Sequence, residues 1–366
     1  VCPTAVLSST LALSLLRHSS SPSQSFVLSP ISLNTALSII HDGANGTTQK
    51  ELTDLLLNGC FPSDVTDLYS TIALNLPWSN ESGVAFKSAN RFYVDQSISL
   101  KKEYQKHVVE KYNAEVQNLK LNDKTNAAKE INNFVDQATN GKIKDVIKAD
   151  GISDDAKAIL INAVHFLGKW KIPFNPSSTR NGTFKGATGE RTIAFMKHYG
   201  KTFRVNQNND IGTALVLPYK DEEFSFFYLM PKESSNLEKM RNELTGERFL
   251  NVLKEAKDAY LDIEVPKIKI ESNLDGVNVL SKLGVKNVFS DGADLSKISS
   301  TPLKIAKITH NAAIEVDEFG TEAAASTIIG FVSFSAFVTP KIVIDRPFLF
   351  GVVSSGGEIL FLGQFA

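Results

Sequence analysis

The chain has 366 residues, beyond the size of one small domain, and its 42% hydrophobic and 22% charged residues supply a large core. Lys plus Arg number 39 against 40 for Asp plus Glu, and a formal net charge of -1 argues against nucleic acid as the main partner. Apolar runs break well before ~20 residues, so no membrane-spanning helix is expected.

Val1 stands just before the amphipathic run Leu11–Leu16, a start that a removed signal peptide or a trimmed chain both fit. Leu11, Leu13, Leu15 and Leu16 have helical spacing, as do Leu33, Ala36, Leu37 and Ile40, and then Leu52, Leu55 and Leu56. Pro30 suits the first turn of the second helix, and Gly43 with Gly46 is expected to end it. "ANRFYVDQSISL" reads as a strand and a turn. "NAAKEINNFVDQATNGKI" reads as a helix stopped at Gly141, with Ile131, Phe134, Val135 and Ala138 on one face.

The middle of the chain changes character. "AKAILINAVHFLGKWKIPF" is nearly continuous in apolar residues, as a strand buried on both faces would be. "TALVLPY", "FSFFYLMP" and "LDIEVPKIKI" are further strand candidates, and "NLDGVNVLSKLGVKNVF" holds a short helix. "KIVIDRPFLFGVVSSGGEILFLGQF" predicts two strands around a Ser-Gly-Gly turn. Helices first, strands later and no βαβ alternation predict an α+β fold, read as one domain over residues 1–366.

Enzyme signatures are missing from the sequence: no G-x-S-x-G elbow, H-E-x-x-H, G-x-G-x-x-G, phosphate loop or C-x-x-C. His18, His41, His107, His165, His198 and His310 show no metal-ligand spacing, and His165 reads as a packed strand residue. The expectation is a protein that is not an enzyme and carries neither metal nor cofactor. Cys2 and Cys60 fit one disulfide or two buried thiols. Asn45, Asn80 and Asn181 head sequons and are the glycosylation candidates, which favours a secreted glycoprotein, with the cytoplasm as the alternative.

Several segments in order resemble the landmarks of one family. "FVLSPISL", "DGANGTT", "INAVHFLGKWKIPF", "LPYKDEEFSFFYLMP", "VPKIKIESNLDGVNVLSKLGVKNVF", "RPFLF" and "ILFLGQF" each match, and Glu318 to Thr327 resembles the hinge pattern E-x-G-T-E-A-A-A-x-T. The chain is similar to the serpins from about Thr10 to Ala366. The resemblance implies three β-sheets surrounded by helices, and an exposed reactive-centre loop at about 318–340. It also implies a metastable protease inhibitor that works once.

In such a molecule a serine protease attacks the loop, and the cleaved loop enters the central sheet as a new strand. The hinge, Glu318, Gly320, Thr321, Glu322, Ala323, Ala324, Ala325, Ser326 and Thr327, must tolerate both solvent and a sheet interior. At period two, Thr321, Ala323, Ala325 and Thr327 enter the core together, and all are small. Counting from Gly320 gives the reactive bond Phe334–Ser335; a count back from Pro347 favours Ala336. Phe334 implies chymotrypsin-like target proteases.

The resemblance further implies a polar shutter of Ser29, Ser32, Asn162 and His310. It places a breach at the top of the sheet with Trp170 beside a Lys267–Glu318 ion pair, read as a surface pair of ~0–1 kcal/mol. A Cys2–Cys60 disulfide matches a bridge to the N-terminal arm in some members. Phe134 stands where the family usually has Trp, and Phe319 where it commonly has a charge. "SDVTDLYSTIALNL" lacks a basic face, so heparin activation is not expected, and the molecule is read as a monomer. The alternative is a non-inhibitory member acting as a carrier or binding module.

Overall fold

The computed structural model describes residues 4–57, 65–76, 83–232, 237–321 and 339–366. Cys2, Cys60, Asn80, the hinge residues Glu322 to Thr327, Phe334 and Ser335 lie outside the described residues.

In chain order the first part holds α1 (Thr4–Ser19), β1 (Phe26–Leu28), α2 (Pro30–Gly43), α3 (Gly46–Leu57) and α4 (Val65–Asn75). β2 (Val84–Asp95), α5 (Lys102–Tyr112), β3 (Glu115–Leu119) and α6 (Lys124–Ala138) follow. Strands dominate next: β4 (Ala158–Lys169), β5 (Arg180–Gly186), β6 (Gly189–Asn206), β7 (Gly212–Pro218) and β8 (Phe224–Pro231). The last part runs α7 (Leu237–Glu243), α8 (Gly246–Lys254), β9 (Lys257–Pro266), β10 (Ile268–Asp275) and α9 (Gly276–Lys282). It ends with β11 (Lys307–Asp317), β12 (Gly320–Thr321), β13 (Lys341–Val343), β14 (Phe348–Ser354) and β15 (Ile359–Phe365).

The expected α+β architecture is present. Among the described residues one sheet has the order β10-β11-β12-β4-β2-β3. The other strands form one hydrogen-bonded network, β1-β15-β14-β8-β7-β6-β9-β13, with β5 on β6. The long strand β6 joins two parts of that network: β5 pairs with its first part, Arg204 to Asn206 pair with β7, and β9 follows it on both sides of a register shift. That shift, between His198 and Lys201, bends the strand from one part into the other.

β4 is buried on both faces, which explains its continuous apolar run. Inward, Val164 and Phe166 pack with Phe86, Tyr219, Phe226 and Phe361 against the second network. Outward, Ile159, Ile161 and Ala163 lie under Ile131 and Val135 of α6, with Phe134 and Ala138 at the edge of that contact. The Arg91 guanidinium sits 3.7 Å above the Phe134 ring, so the ring is held by cation–π attraction.

α2 starts as expected, with Pro30 in its first turn and Ser29 as N-cap, and ends at Gly43. Gly46 does not end it but opens α3 at φ +54, a conformation that favours glycine. "LDIEVPKIKI" divides into β9 and β10 at Lys267, whose N–H donates to the Ala194 carbonyl at 3.0 Å. α5 escapes a periodicity reading because it is strongly polar; only Tyr104, Val108 and Tyr112, four apart, are buried.

Candidate functional site

β4 and β11 are parallel neighbours, paired from Lys307↔Ile159 to Ala313↔His165. Above that point they part, and the two residues of β12 fill the gap. Gly320 and Thr321 pair antiparallel with Lys169 and Gly168 on one side, and with Asp317 and Val316 on the other. The turn into β12 is made by Asp317, whose Oδ1 accepts from the N–H groups of Phe319 (2.8 Å) and Gly320 (3.3 Å). Gly320 has φ +147, and a Cβ there would lie 1.9 Å from the Gly168 carbonyl oxygen, so only glycine fits.

The breach residues of the sequence reading meet around this turn. Trp170 donates its Nε1–H to the Asp317 carbonyl (2.8 Å) and its backbone N–H to Phe319 (3.0 Å). Its indole stacks on Tyr219 at 4.8 Å and 3°. Lys267 Nζ lies 2.7 Å from Glu318 Oε2, and Thr179 donates to Oε1 at 2.6 Å. The pair is not the surface pair expected, because the Glu318 side chain is only 6% exposed. Burial pushes the Glu318 carboxyl upward, but the bonds from Lys267 and Thr179 outweigh it and hold the group below its usual range.

The four shutter residues also come together, although Ser29 and His310 are 281 residues apart in the chain. His310 and Asn162 are register partners across the β4–β11 seam, and their side chains are hydrogen-bonded, Nδ1 to Oδ1. His310 Nε2 accepts from the Ser29 N–H at 2.9 Å, which fixes the neutral tautomer with the proton on Nδ1. Complete burial lowers the His310 pKa to about 3, so the ring stays neutral. Asn162 Nδ2 donates to Ser32 Oγ at 2.7 Å and to Asn90 Oδ1, and Ser32 Oγ meets Ser88 Oγ at 3.0 Å. Asn90 and Ser88 were missed from sequence. Their signal was weak: two uncharged polar residues, two apart, on a strand that also carries Lys87, Arg91 and Asp95.

A second buried cluster was also missed. Asp42, at the other end of α2, accepts from Thr66 (2.6 Å), Tyr112 (2.8 Å) and His107 (2.7 Å), and His41 Nδ1 lies 3.1 Å away. His41 Nε2 is 3.0 Å from Thr53 Oγ1, so hydroxyl, imidazole and carboxylate line up. The Thr53 hydroxyl also bonds the Gln49 carbonyl at 2.9 Å, and both Asp42 oxygens are occupied. That arrangement ties α2, α3, α4 and α5 together. His165 is buried in β4, as read. Of the sequons, Asn181 is exposed on β5, whereas the Asn45 amide donates to Ser296 at 2.8 Å.

The fold is mixed, and one of its sheets has a parted central seam with a glycine-led turn at its mouth. The family model described as Serpin (serine protease inhibitor) matches residues 7–366. Serine protease inhibitor 42Dd of Drosophila melanogaster is 34% identical over 356 residues, covering 95% of this chain and 93% of its own length. Ipis-1 of Ixodes persulcatus is 32% identical, covering 92% of this chain and 90% of its own. Serpin48 of the insect Tenebrio molitor overlays with a TM-score of 0.87 at 29% identity, over 99% of this chain and 96% of that one. Human thyroxine-binding globulin, with a TM-score of 0.90 at 23% identity over 99% and 97%, shares the fold. The chain belongs to the serpin family.

Proposed function

We propose that this serpin is a suicide-substrate inhibitor of serine proteases, with chymotrypsin-like enzymes as preferred targets. One observation carries the reading: Gly320 and Thr321 wedge between two parallel strands and pair antiparallel to both. A longer strand there would exchange the direct β4–β11 pairing for two antiparallel ladders, which are somewhat stronger per residue. Continuing the register past Thr321 sets Ala323 opposite Phe166, Ala325 opposite Val164 and Thr327 opposite Asn162. Those positions of β4 face inward, so the small hinge residues match the space they would enter.

The same register reaches Ala158, the start of β4, at Phe331. The bond Phe334–Ser335 then falls just past the end of the sheet, which supports the forward count. A protease serine attacks the Phe334 carbonyl, the bond to the Ser335 nitrogen breaks, and an ester to the enzyme remains. About ten further residues can then enter, carrying the ester across ~33 Å at ~3.3 Å per residue. Where this outruns deacylation, the pull distorts the oxyanion hole and hydrolysis stalls.

The protein acts as bait and not as catalyst. Trypsin is a poor target because no Lys or Arg lies between Gly320 and Thr339. α4 contains no Lys or Arg, which supports independence from heparin, and a monomer suffices for the mechanism. The exposed sequon at Asn181 fits secretion. Incubation with chymotrypsin, elastase and trypsin, followed by denaturing electrophoresis, tests the proposal. The expected result is a covalent complex with chymotrypsin whose released C-terminal peptide begins at Ser335. A peptide beginning at Phe337 would favour cleavage after Ala336, and a carrier or binding module would form no complex with any enzyme.

A further inference from the structure

Thr321 and Tyr219 are both fully buried, and their hydroxyls meet at 2.6 Å. Tyr219 cannot follow a moving partner. Its ring is clamped between the Trp170 stack and Phe166, 5.2 Å away, and its backbone N–H donates to Phe224 at 3.0 Å. A Cβ on Gly168 would lie 2.7 Å from the Tyr219 ring, so this glycine clears the ring's place beneath the seam. The Thr321 side chain thus enters a seat whose one hydroxyl is fixed in advance.

We propose that the Tyr219–Thr321 hydroxyl pair is a latch that holds the resting loop one step into the sheet, with Tyr219 as the positioning residue. The inference rests on the inhibitory reading above and adds to it a point of control. Below β12, β4 and β11 already pair directly at Ala313↔His165, so the wedge is short and one side-chain hydrogen bond is a large part of what retains it. Removing either hydroxyl leaves the other buried without a partner, whereas removing both leaves a matched apolar contact. Tyr219→Phe and Thr321→Val should therefore each loosen the wedge, and the double variant should restore it. Slack in the loop exposes the reactive segment more often but delays insertion after cleavage.

The test compares the wild type, both single variants and the double variant in the full chain. Loop cleavage by thermolysin is measured under native conditions, because a metalloprotease forms no acyl-enzyme and reads exposure apart from trapping. Each single variant is expected to be cleaved about tenfold faster than the wild type, and the double variant at close to the wild-type rate. Trp170 emission, which reports on the stacked Tyr219, should shift in the single variants and return in the double. Unchanged cleavage in the single variants, or effects that simply add in the double, would overturn the latch. The inhibitory reading fails separately, by the absence of a covalent complex between the wild type and chymotrypsin.

Discussion

The same two strands, β4 and β11, meet in two different ways along one seam. At its mouth they are spread by Gly320 and Thr321, and the contacts are stacked rings, a short turn and a half-buried ion pair. Lower down they pair directly, and His310 and Asn162 bridge them inside a buried side-chain network reaching α2 and β2. Under the proposed mechanism the mouth is widened by one residue after another. The lower seam resists, because parting it breaks hydrogen bonds between groups that have no water to turn to. Residue Thr327, if inserted, would arrive opposite Asn162, so the network is met late, after several inward positions are filled. An opening that is easy to start and costly to finish early is what the proposed insertion requires.

The largest expected effect breaks the mouth. Thr321→Arg places a guanidinium at a fully buried site under Tyr219, at a cost of ~3 kcal/mol or more, a shift of ~100-fold. The variant should be cleaved by chymotrypsin at the same bond without forming the covalent complex on a denaturing gel. Persistent trapping would show that the hinge does not enter here.

The next breaks the lower seam. His310→Ala leaves the Ser29 N–H and the Asn162 Oδ1 unpartnered in the core and should cost about 3 kcal/mol in urea unfolding. A loss below about 1 kcal/mol would mean that the network does not hold the strands together.

Acid sharpens the same contrast without mutation. Burial lowers His310 to about 3 and His198 to about 4, so the folded protein binds fewer protons than the unfolded chain below the free imidazole value. Their contribution to stability is complete above pH ~6.5 and is lost as pH falls toward 4 and 3, by up to ~1.4 kcal/mol per unit for each group. The urea midpoint should fall over that window, and His310→Gln should flatten the fall. An equal slope in the variant would assign it elsewhere.

The fold was legible where one residue type answers one local need. The apolar run of β4, the Pro30 start of α2 and the Ser-Gly-Gly hairpin between β14 and β15 each follow from burial or backbone preference. The site was legible only through family resemblance, because its members are far apart in the chain: Ser29 and His310 are 281 residues apart. Tyr219, Thr179, Ser88 and Asn90 were not read, since a hydroxyl or amide that completes someone else's hydrogen bond leaves no periodic signal. The depth of Glu318 was misjudged for a related reason: charge suggests surface unless the partner that makes burial tolerable is seen.

The smallest effect probes that ion pair. Lys267→Met leaves Glu318 with Thr179 alone, but Lys267 is 41% exposed and water reaches the vacated place, so the loss should be about 1 kcal/mol in thermal unfolding. A loss several times larger would make the breach, and not the lower seam, the main restraint on the sheet.

The most direct measurement of loop insertion is the thermal stability of the chain after a single cut in the loop by thermolysin. Insertion adds a full strand with hydrogen bonds on both edges, so the cut protein should unfold at a much higher temperature than the intact one. A cut protein that unfolds at the same or a lower temperature would contradict the account, since nothing would then have entered between β4 and β11.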